Sequence, residues 1–387
     1  MDVFEKIKLT AFNVPFEAAE DIRAPNPNLD CLPKLEELKA RFPLTQAHLP
    51  NGRTIPLLKT MQSSACERNC NYCCFRAGRD TPRASLTPDE LAAAVVKLTR
   101  AGIVKGLFLS SGLASGGIRT QDRLISTAEI LRYKYDYKDY IHLKIMPGAE
   151  KDQVLRAMQL ADRVSINLEA PNETNLSRLA PQKAFFAELL KPLEMIESIR
   201  QTESPHLAWN GRWPSSCTQF VVGAVGETDV DLLQTTVTLR QKFQISRAYY
   251  SNFSPVIHTP FENLPPSNPW RQHRLYQAFF LLRDYRFDFE ELPFNPKGDL
   301  NPEVDPKLLW AEHHLLQAPI EINTSDYAQL IKIPGIGPQS AKKILEARTY
   351  GVIRDIHTLH KMGIATSRAS KFILLNGRRP PFQPALF

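Results

Sequence analysis

The sequence Cys66-Glu67-Arg68-Asn69-Cys70-Asn71-Tyr72-Cys73 places three thiols at the spacing C-x3-C-x2-C, with an aromatic residue just before the last one. Thiolates are the usual protein ligands of iron–sulfur clusters, and their spacing along the chain indicates the kind of cluster. Three thiols this close together can hold three corners of a cubane cluster, which leaves the fourth iron open to a ligand from outside the protein. The spacing therefore predicts a [4Fe-4S] cluster whose metal ligands are Cys66, Cys70 and Cys73.

A zinc site is the alternative interpretation of these thiols. A structural zinc ion normally takes four ligands that come in paired spacings. The nearest fourth thiol, Cys74, directly follows Cys73 and is poorly placed to complete such a set. The iron–sulfur cluster is therefore the favoured interpretation. Cys74 and Cys217 are left out of the site, and Cys31 is interpreted as structural.

The composition is typical of a folded protein with more than one domain. The chain has 387 residues, of which 43% are hydrophobic. It contains no run of about 18 apolar residues that could span a membrane, and the stretch Met1 to Glu5 lacks the basic and apolar regions of an export signal. Four of the six cysteines lie between positions 66 and 74, and clustered thiols in a protein that is not exported indicate metal ligands. We therefore expect a cytoplasmic protein with no membrane partner.

From about residue 55 onward, short apolar runs alternate with amphipathic stretches, which is typical of βα units around a parallel sheet. Thr87-Pro88-Asp89-Glu90 adds a capping box, with proline at the first helical position. The predicted strands are 55–60, 106–109, 140–146, 163–169, 218–223 and 246–253, and the predicted helices are 88–101, 119–135, 150–161, 182–201, 228–242 and 269–286. A further helical pattern covers 3–21. The fold class predicted is α/β, with the chemistry at the carboxyl ends of the strands.

Polar side chains stand inside two of these strands. Ser165, Asn167 and Glu169 alternate along the fourth strand, which places them on one face. Inward polar groups in a barrel are costly without a partner, so a ligand site is predicted, with a satisfied internal polar network as the alternative. Lys144 in the third strand either points inward, toward a carboxylate or phosphate, or snorkels outward.

The basic charge of the chain is concentrated in its last part. The net charge is +7, and residues 319–387 contain ten basic and four acidic side chains, which leaves +1 for the rest of the chain. A nearly neutral body with a basic end is typical of a catalytic part joined to a module that binds a polyanion.

Ile333-Pro334-Gly335-Ile336-Gly337-Pro338 in this basic segment resembles the turn of a helix-hairpin-helix, whose second helix begins at Pro338. Glycines let such a turn take positive φ and approach a ligand closely, and the amides at a helix start favour an anion such as a DNA phosphate. The predicted DNA-binding residues are Gly335, Gly337, Gln339, Lys342 and Lys343.

A second hairpin copy, 357–369, has Ala365 in place of the second glycine and is interpreted as mainly structural. Paired hairpins hold the backbone of duplex DNA without reading its sequence. A protein–protein contact is the alternative, but the charge of the same segment favours DNA.

The cysteine motif resembles that of the radical S-adenosylmethionine (radical SAM) enzymes. The resemblance implies a partial (βα)6 TIM-like barrel in which the open iron of the cluster binds the amino and carboxylate groups of S-adenosylmethionine. One electron then cleaves the sulfonium and releases a 5′-deoxyadenosyl radical. The resemblance also implies the following cofactor-binding residues: Tyr72 and Gly223 near the adenine, Ser110, Ser111 and Gly112 near the methionine amino group, and Ser165, Asn167 and Glu169 near the ribose.

Over residues 55–375 the chain resembles one family in particular, the DNA modification or repair radical SAM proteins found alongside uracil-DNA-glycosylase-like partners. The matching segments are 71–76, 81–84, 106–112, 140–144, 165–171, 305–310 and the hairpin, whereas loop 75–80 departs from the family. The resemblance implies such a glycosylase-like partner and an electron donor such as flavodoxin or ferredoxin. The predicted domains are an N-terminal helical extension (1–54), the radical SAM core barrel (55–292), a linker with a short helix (293–318) and the all-α helix-hairpin-helix DNA-binding domain (319–387).

Three functions are compatible with these features. The first is a radical SAM enzyme that acts on DNA, whose target nucleotide leaves the base stack. The second keeps the radical chemistry but acts on RNA or on a protein partner. The third is a non-catalytic, DNA-bound iron–sulfur redox sensor, which would form no 5′-deoxyadenosine from S-adenosylmethionine.

Overall fold

The structure is a computed structural model that describes residues 1–11, 44–48 and 54–381. The chain forms two compact units. The first comprises Met1–Glu227 and Thr235–Ser267, and the second comprises Thr228–Gln234 and Asn268–Phe387. Helix α1 (Val3–Ala11) opens the first unit. The rest of the predicted helix 3–21 lies outside the described residues, as does Cys31.

The first unit is built on a sheet that has seven strands within the described residues. The strands, in spatial order, are β1 (Leu44–His48), β2 (Thr54–Met61), β3 (Gly106–Ser110), β4 (Tyr140–Lys144), β5 (Arg163–Glu169), β6 (Ser215–Val222) and β7 (Arg247–Asn252). Strands β2 to β7 pair in parallel and follow chain order, so every connection crosses over the sheet. This arrangement confirms the predicted α/β fold, with the sheet curled into a half-barrel.

Strand β1 is an addition that the sequence analysis does not predict, because its five residues stand between Pro43 and Pro50. It pairs antiparallel with β2 along its whole length. Ala47 packs into a buried cluster with Leu57 and Phe108. The strand therefore covers the edge of the sheet that β2 would otherwise expose.

Helices alternate with the parallel strands as predicted. They are α2 (Pro88–Arg100), α3 (Gly117–Glu129), α4 (Lys151–Leu160), α5 (Glu173–Leu179), α6 (Lys191–Thr202) and α7 (Asp229–Phe243). The predicted capping box of α2 is present: the Glu90 amide donates to Thr87 Oγ1 at 3.2 Å, and the Thr87 amide donates to Glu90 Oε2 at 2.8 Å. These reciprocal bonds fix where the helix begins.

Two helices are shorter than predicted because π-helical turns adjoin them. Helix α3 ends at Glu129, and a π-helical turn, Ile130–Lys134, takes the place of its predicted last turn. The predicted helix 182–201 is divided into a π-helical turn, Phe185–Leu190, and α6. Pro192 has no amide hydrogen and its ring clashes with the carbonyl four residues earlier, so a regular helix cannot run through this point.

The second unit is mainly helical. Its elements are α8 (Pro269–Asp284), α9 (Pro306–His314), α10 (Tyr327–Lys332), α11 (Pro338–Tyr350), α12 (Ile356–Lys361) and α13 (Thr366–Ala369), with the short parallel strands β8 (Ile320–Glu321) and β9 (Ile373–Leu374). The strand pair is an addition to the all-α domain that the sequence predicts. No helix in the described part of the chain is both long and apolar enough to cross a membrane.

The stretch before α9, predicted as a linker, is fixed to α8 by hydrogen bonds. Arg274 donates through Nε to the Pro302 carbonyl and through Nη2 to the Glu303 carbonyl, both at 3.0 Å. Gln277 Nε2 donates to Asp305 Oδ2 at 2.9 Å, and Asp305 in turn caps the start of α9. These contacts join the stretch to the helical unit.

Candidate functional site

The carboxyl ends of the parallel strands surround a cavity in the first unit, which we call the strand-end cavity. The loop that follows β2 forms one side of it, and this loop contributes the thiols of Cys66, Cys70, Cys73 and Cys74 to the lining. Chemistry in βα barrels is found at this end of the strands. The three predicted metal ligands therefore line one cavity at the expected end of the sheet.

Six of the eight predicted cofactor-binding residues line the strand-end cavity: Tyr72, Ser110, Ser111, Gly112, Asn167 and Glu169. The other two do not line it. Ser165 is buried within β5, and Gly223 lies in a turn with φ of 90°, where its amide donates to the Glu227 carboxylate. The structure thus brings six of the eight together, and the roles of all eight stay predictions.

The connection between α5 and α6 holds one side of the cysteine loop. The Asn71 amide donates to the Leu179 carbonyl and Asn71 Nδ2 to the Arg178 carbonyl, both at 2.8 Å. Arg68 Nη2 forms an ion pair with Glu188 Oε1 at 2.5 Å. A loop without regular structure needs such partners for its polar groups, so this connection determines where the thiols lie.

Two arginines hold the end of the same loop. Arg83 donates through Nη1 to the Ser64 carbonyl at 2.8 Å and through Nη2 to the Arg76 carbonyl at 3.1 Å. Arg79 Nη1 donates to the Cys74 carbonyl at 2.7 Å. A guanidinium group has five donors and can satisfy several carbonyls at once, which fixes the loop on both sides of the cysteines.

Gly112 at the end of β3 touches the backbone just before the first cysteine. Its amide donates to the Ser63 carbonyl at 2.7 Å. A β-carbon at this position would overlap the Ala65 carbonyl oxygen and lie 3.2 Å from Cys66 Cβ. Only glycine allows two backbones to come this close, so the sequence signal at 110–112 has a steric cause.

The end of β5 departs from the alternation that the sequence predicts. Asn167 pairs with Gln219 while Glu169 pairs with Phe220, so Leu168 is an extra residue and the strand has a β-bulge. Glu169 has φ of 65°, a left-handed conformation that is uncommon for a residue with a side chain. Ile166, which strict alternation would place on the opposite face from Asn167, also lines the cavity. A bulge re-aims the side chains beside it, and strict alternation therefore fails at this point.

Glu169 is an ionised acceptor in the cavity wall. Lys183 Nζ lies 2.7 Å from Glu169 Oε1, and the two side chains are 11% and 4% exposed. Burial raises the pKa of the Glu169 carboxyl, but the ammonium groups of Lys183 and Lys144 outweigh burial and hold this pKa below its usual value. Burial and the nearby Glu169 carboxylate raise the pKa of Tyr72, so the phenol keeps its proton.

The second oxygen of this carboxylate is available for a ligand. Glu169 Oε2 is buried and accepts no hydrogen bond from the described residues. Leaving a buried polar atom unpaired costs about 1–3 kcal/mol, and such atoms are rare in native proteins. A ligand hydroxyl group would satisfy Oε2, which fits the ribose contact predicted for Glu169.

The cysteine thiols are the ligand type that an iron–sulfur cluster takes. Among the residues that the structure describes, no group of three or more His, Cys, Asp or Glu side chains is arranged around one ion. Cysteine ligands of a cubane cluster bind different irons, so they do not have to converge on one point. Burial raises the pKa of the Cys70 thiol to about 12. Metal binding therefore has to displace a firmly held proton.

Lys144 lines the strand-end cavity and is half-buried, which is the inward of the two orientations considered from the sequence. Burial lowers its pKa to about 8, and the nearby Lys183 lowers it as well, while Glu169 opposes the shift. Two ammonium groups and one carboxylate thus stand together on this wall. This arrangement favours an anionic ligand group beside them.

Lys183, Gln219 and Ser251 are among the polar residues of the cavity that sequence reasoning misses. Lys183 lies in the predicted helix 182–201 but is not singled out there, and in the structure it belongs to the connection between α5 and α6. Gln219 and Ser251 lie in predicted strands but are not singled out there. Asn167 Nδ2 donates to Gln219 Oε1 at 3.3 Å, and Gln219 Nε2 donates to Ser251 Oγ at 3.2 Å. The amide of Gln219, which precedes the apolar run 220–222 in a predicted strand, could have indicated a polar position in the cavity.

In the second unit, helices α10 and α11 are joined by the turn 333–337, as the sequence predicts. Gly335 has φ of 85°, and a β-carbon at this residue would lie 2.5 Å from the Ala365 carbonyl oxygen and 3.2 Å from Arg368 Cβ. The first hairpin turn therefore rests directly on the second hairpin, and only glycine fits between them.

Lys307 of α9 holds the first hairpin turn through a hydrogen bond to its backbone. Its Nζ donates to the Ile336 carbonyl at 2.6 Å and lies 4.5 Å from the centre of the Tyr285 ring. Burial lowers the pKa of Lys307 to about 7; Arg368 lowers it further and Asp305 opposes the shift. Sequence reasoning gives no signal for this contact, because α9 and the turn are about thirty residues apart in the chain.

The predicted DNA-binding residues surround the start of α11. Gln339 and Lys342 are exposed, and Gly337 is the N-cap residue. Lys343 is exposed as well, but its Nζ donates to the Met362 carbonyl at 3.2 Å in the second hairpin turn. Lys343 thus connects the two hairpins. The roles of all five predicted residues in DNA binding stay predictions.

Comparison with known families finds a match in two segments of the chain. Residues 62–236 match the family model described as the radical SAM superfamily, and residues 317–364 match the helix-hairpin-helix motif. The chain therefore contains a radical SAM domain and a helix-hairpin-helix motif. Proteins of this superfamily typically use a [4Fe-4S] cluster and S-adenosylmethionine. No curated protein matches the chain.

Solved structures with a similar fold include HydG, a maturase of the [FeFe]-hydrogenase (14% identity, TM-score 0.44, 58% of this chain and 49% of that chain). Methylornithine synthase (PylB) is 15% identical, with a TM-score of 0.45 over 58% of this chain and 61% of that chain. A radical SAM methyltransferase from Sphaerobacter thermophilus is 16% identical, with a TM-score of 0.43 over 64% of this chain and 79% of that chain. The chain thus spans about half the length of HydG.

Proposed function

We propose that this protein is a radical SAM enzyme that holds a [4Fe-4S] cluster through Cys66, Cys70 and Cys73 and acts on DNA. The observation that supports this most is the meeting of the three thiols and six predicted cofactor-binding residues at one cavity, within the segment that matches the radical SAM superfamily. When bound, the cluster and S-adenosylmethionine supply a 5′-deoxyadenosyl radical that removes a hydrogen atom from the substrate.

The residues of the chain bind and orient the cofactor. The turn Ser110–Gly112 presents backbone groups beside the cysteine loop, where the amino acid end of S-adenosylmethionine would lie. Asn167 and Glu169 offer a carbonyl and a carboxylate oxygen to the ribose hydroxyls. Met61 packs against Phe75 at the cavity wall. Apolar side chains there exclude water, which protects a reactive intermediate from side reactions.

The helix-hairpin-helix motif supports DNA as the substrate. The turn 333–337 presents helix-start amides that favour a phosphate, and the segment that contains it carries the +6 charge. Contacts of this kind position a duplex without reading its sequence. A base within a duplex is inaccessible to a cavity, so the target nucleotide would have to leave the stack.

The same proposal includes the partners and the compartment. The four clustered thiols support the reducing cytoplasm, where thiols stay reduced. Flavodoxin or ferredoxin would supply the electron. A uracil-DNA-glycosylase-like protein would act beside the enzyme on the same DNA.

The test is an assay of protein reconstituted anaerobically with iron and sulfide. We expect reduced protein to convert S-adenosylmethionine to 5′-deoxyadenosine, and a duplex DNA substrate to change the rate. Mass analysis of the digested nucleosides should then show a product that is absent when Cys70→Ala protein is used. Absence of 5′-deoxyadenosine under strict anaerobic reduction would contradict the proposed radical SAM activity. Stimulation of the reaction by RNA but not by DNA would contradict DNA as the substrate.

A further inference from the structure

The charged side chains that line the strand-end cavity lie on one part of its wall. Arg68 lies in the cysteine loop, Lys144 at the end of β4, Glu169 at the end of β5, and Lys183 between α5 and α6. Strands β6 and β7, with the two residues after β7, contribute only neutral residues from the described chain: Gln219, Val221, Ser251, Asn252, Phe253 and Ser254. The cavity therefore has a charged part and a neutral part.

A row of hydrogen bonds connects the two parts. Asn167 Nδ2 donates to Gln219 Oε1 at 3.3 Å, and Gln219 Nε2 donates to Ser251 Oγ at 3.2 Å. The row crosses three neighbouring strands, which corresponds to about 10 Å at the usual strand spacing. Gln219 is 3% exposed. A buried amide costs stability unless both of its ends are paired, and this row pairs both ends.

The row leaves hydrogen-bonding capacity at its two ends. The Ser251 hydroxyl accepts from Gln219, so its own proton is available, and no acceptor for it exists among the described residues. Asn167 Oδ1 likewise accepts no hydrogen bond from them. A hydroxyl and an amide supply donors and acceptors without net charge. Val221 and Phe253, 5% and 2% exposed, add apolar surface beside Ser251.

We propose that Ser251, positioned by Gln219, forms the substrate-recognition part of the strand-end cavity, and that it binds the edge of a neutral planar ring, namely a nucleobase. A serine hydroxyl pairs with a donor or an acceptor on a base edge, and apolar side chains cover the faces of such a ring. Ser251 contacts the substrate. Gln219 is a positioning residue that sets the Ser251 hydroxyl and connects it to Asn167, predicted at the cofactor ribose. This inference rests on the proposed function and names the chemical group that enters the cavity.

The test measures binding of nucleosides, which have no phosphate for the hairpin to hold. Full-length reconstituted protein with saturating S-adenosylmethionine is dialysed to equilibrium against 2′-deoxyadenosine, 2′-deoxyguanosine, 2′-deoxycytidine, thymidine and 2′-deoxyuridine, and the retained nucleosides are quantified. We expect the wild-type protein to retain at least one of them. Ser251→Ala and Gln219→Leu should each weaken that binding about tenfold, the effect of losing a buried hydrogen bond. Ser251→Ala should leave S-adenosylmethionine binding unchanged.

Thr218→Val is the matched control, since Thr218 is buried in the same strand, does not line the cavity, and donates to the Ile166 carbonyl at 2.7 Å. It should retain the nucleoside as the wild type does. Retention of no nucleoside by the wild type, or wild-type retention by both variants, would overturn the inference. Iron content and thermal unfolding show whether each variant is folded. If Gln219→Leu does not fold, Ser251→Ala, which is the smaller change, still decides the test. Formation of 5′-deoxyadenosine and binding of a DNA duplex are measured separately. Failure of the proposed function can therefore be distinguished from failure of the nucleobase inference.

Discussion

The Ala65 carbonyl oxygen occupies the space that a side chain on Gly112 would need. The end of β3 and the residue before the first cysteine are therefore in direct backbone contact. This contact connects the position of the cysteine loop to the sheet. It also makes Gly112, together with the cysteines, a determinant of the proposed cluster site.

Gly112→Ala should lower the iron content of reconstituted protein by more than half, because the backbone before Cys66 has to move to admit the methyl group. The measurement is iron per protein together with the visible absorbance under anaerobic conditions. Gly116→Ala is the control: Gly116 has φ of 80° but nothing within 4 Å of a β-carbon. It should cost about 1 kcal/mol of stability and keep its iron. Equal iron in both variants would contradict the steric argument.

Cys70→Ala should abolish cluster binding, whereas Cys74→Ala should preserve it. Both thiols line the strand-end cavity and both are buried, at 7% and 5% exposure, so burial does not distinguish them. Only Cys70 belongs to the C-x3-C-x2-C spacing. Iron analysis and electron paramagnetic resonance of the reduced proteins check this prediction. Brown, iron-containing Cys70→Ala protein would disprove the ligand assignment.

Lys307→Met should change how stability depends on pH. The folded pKa of Lys307, about 7, is below its ordinary value of 10.5, so between these values the unfolded chain binds more protons than the folded one. Stability of the wild type should therefore rise with pH in this window, by up to about 1.4 kcal/mol per pH unit. The methionine variant should lack this rise. Urea denaturation of both proteins from pH 7 to pH 10 measures the free energy of unfolding at each pH. If the two proteins show parallel pH profiles, the lowered pKa of Lys307 is contradicted.

Lys342→Ala should weaken binding to a DNA duplex several-fold for every sequence tested, since a phosphate contact carries no sequence information. The slope of the logarithm of the affinity against the logarithm of the salt concentration should fall in magnitude by about 1, which corresponds to one lost phosphate contact. Fluorescence anisotropy between 50 and 200 mM salt, about the range over which such contacts weaken most, provides both values. Lys297→Ala removes an exposed lysine of the same unit outside the hairpins and should bind as the wild type does. A loss that depends on sequence would contradict backbone recognition.

Gly335→Ala should be more severe than Lys342→Ala. The added methyl group would meet the Ala365 carbonyl oxygen at 2.5 Å, and φ of 85° is unfavourable for alanine. We expect the two hairpins to separate and DNA binding to be lost while the first unit keeps its iron. Wild-type affinity in this variant would show that the packing of the two turns is not needed for binding.

Much of the fold can be predicted from the sequence because the parallel strands are buried on both faces. All five residues of β3 are buried, as are most of β6, and such strands appear as nearly continuous apolar runs. Strand β1 has no such signal, since its five residues form one half-polar edge strand. Helix α6 begins late because one proline interrupts a helical pattern that the periodicity alone extends.

The candidate site is predictable only where local sequence determines it. The cysteine spacing is local, and so is the glycine turn after β3. The contact of Lys183 with Glu169 depends on how a connection folds back over β5, and the Gln219–Ser251 bond depends on the register of two strands. Lys307 lies under Ile336 for the same reason. Pairings between distant segments depend on tertiary structure, which periodicity and spacing do not specify.

Strands β1 and β7 are the two end strands of the sheet in the part of the chain that the structure describes. Strand β1 covers β2, whereas β7 pairs only with β6 among the described strands, so the ring of strands is not closed. For the polymeric substrate proposed above, this has a topological consequence. A closed ring would have to be threaded from a free end, but an open side admits an internal nucleotide laterally. For the proposed activity on DNA, circular molecules and internal chromosomal sites would then be accessible without a strand terminus.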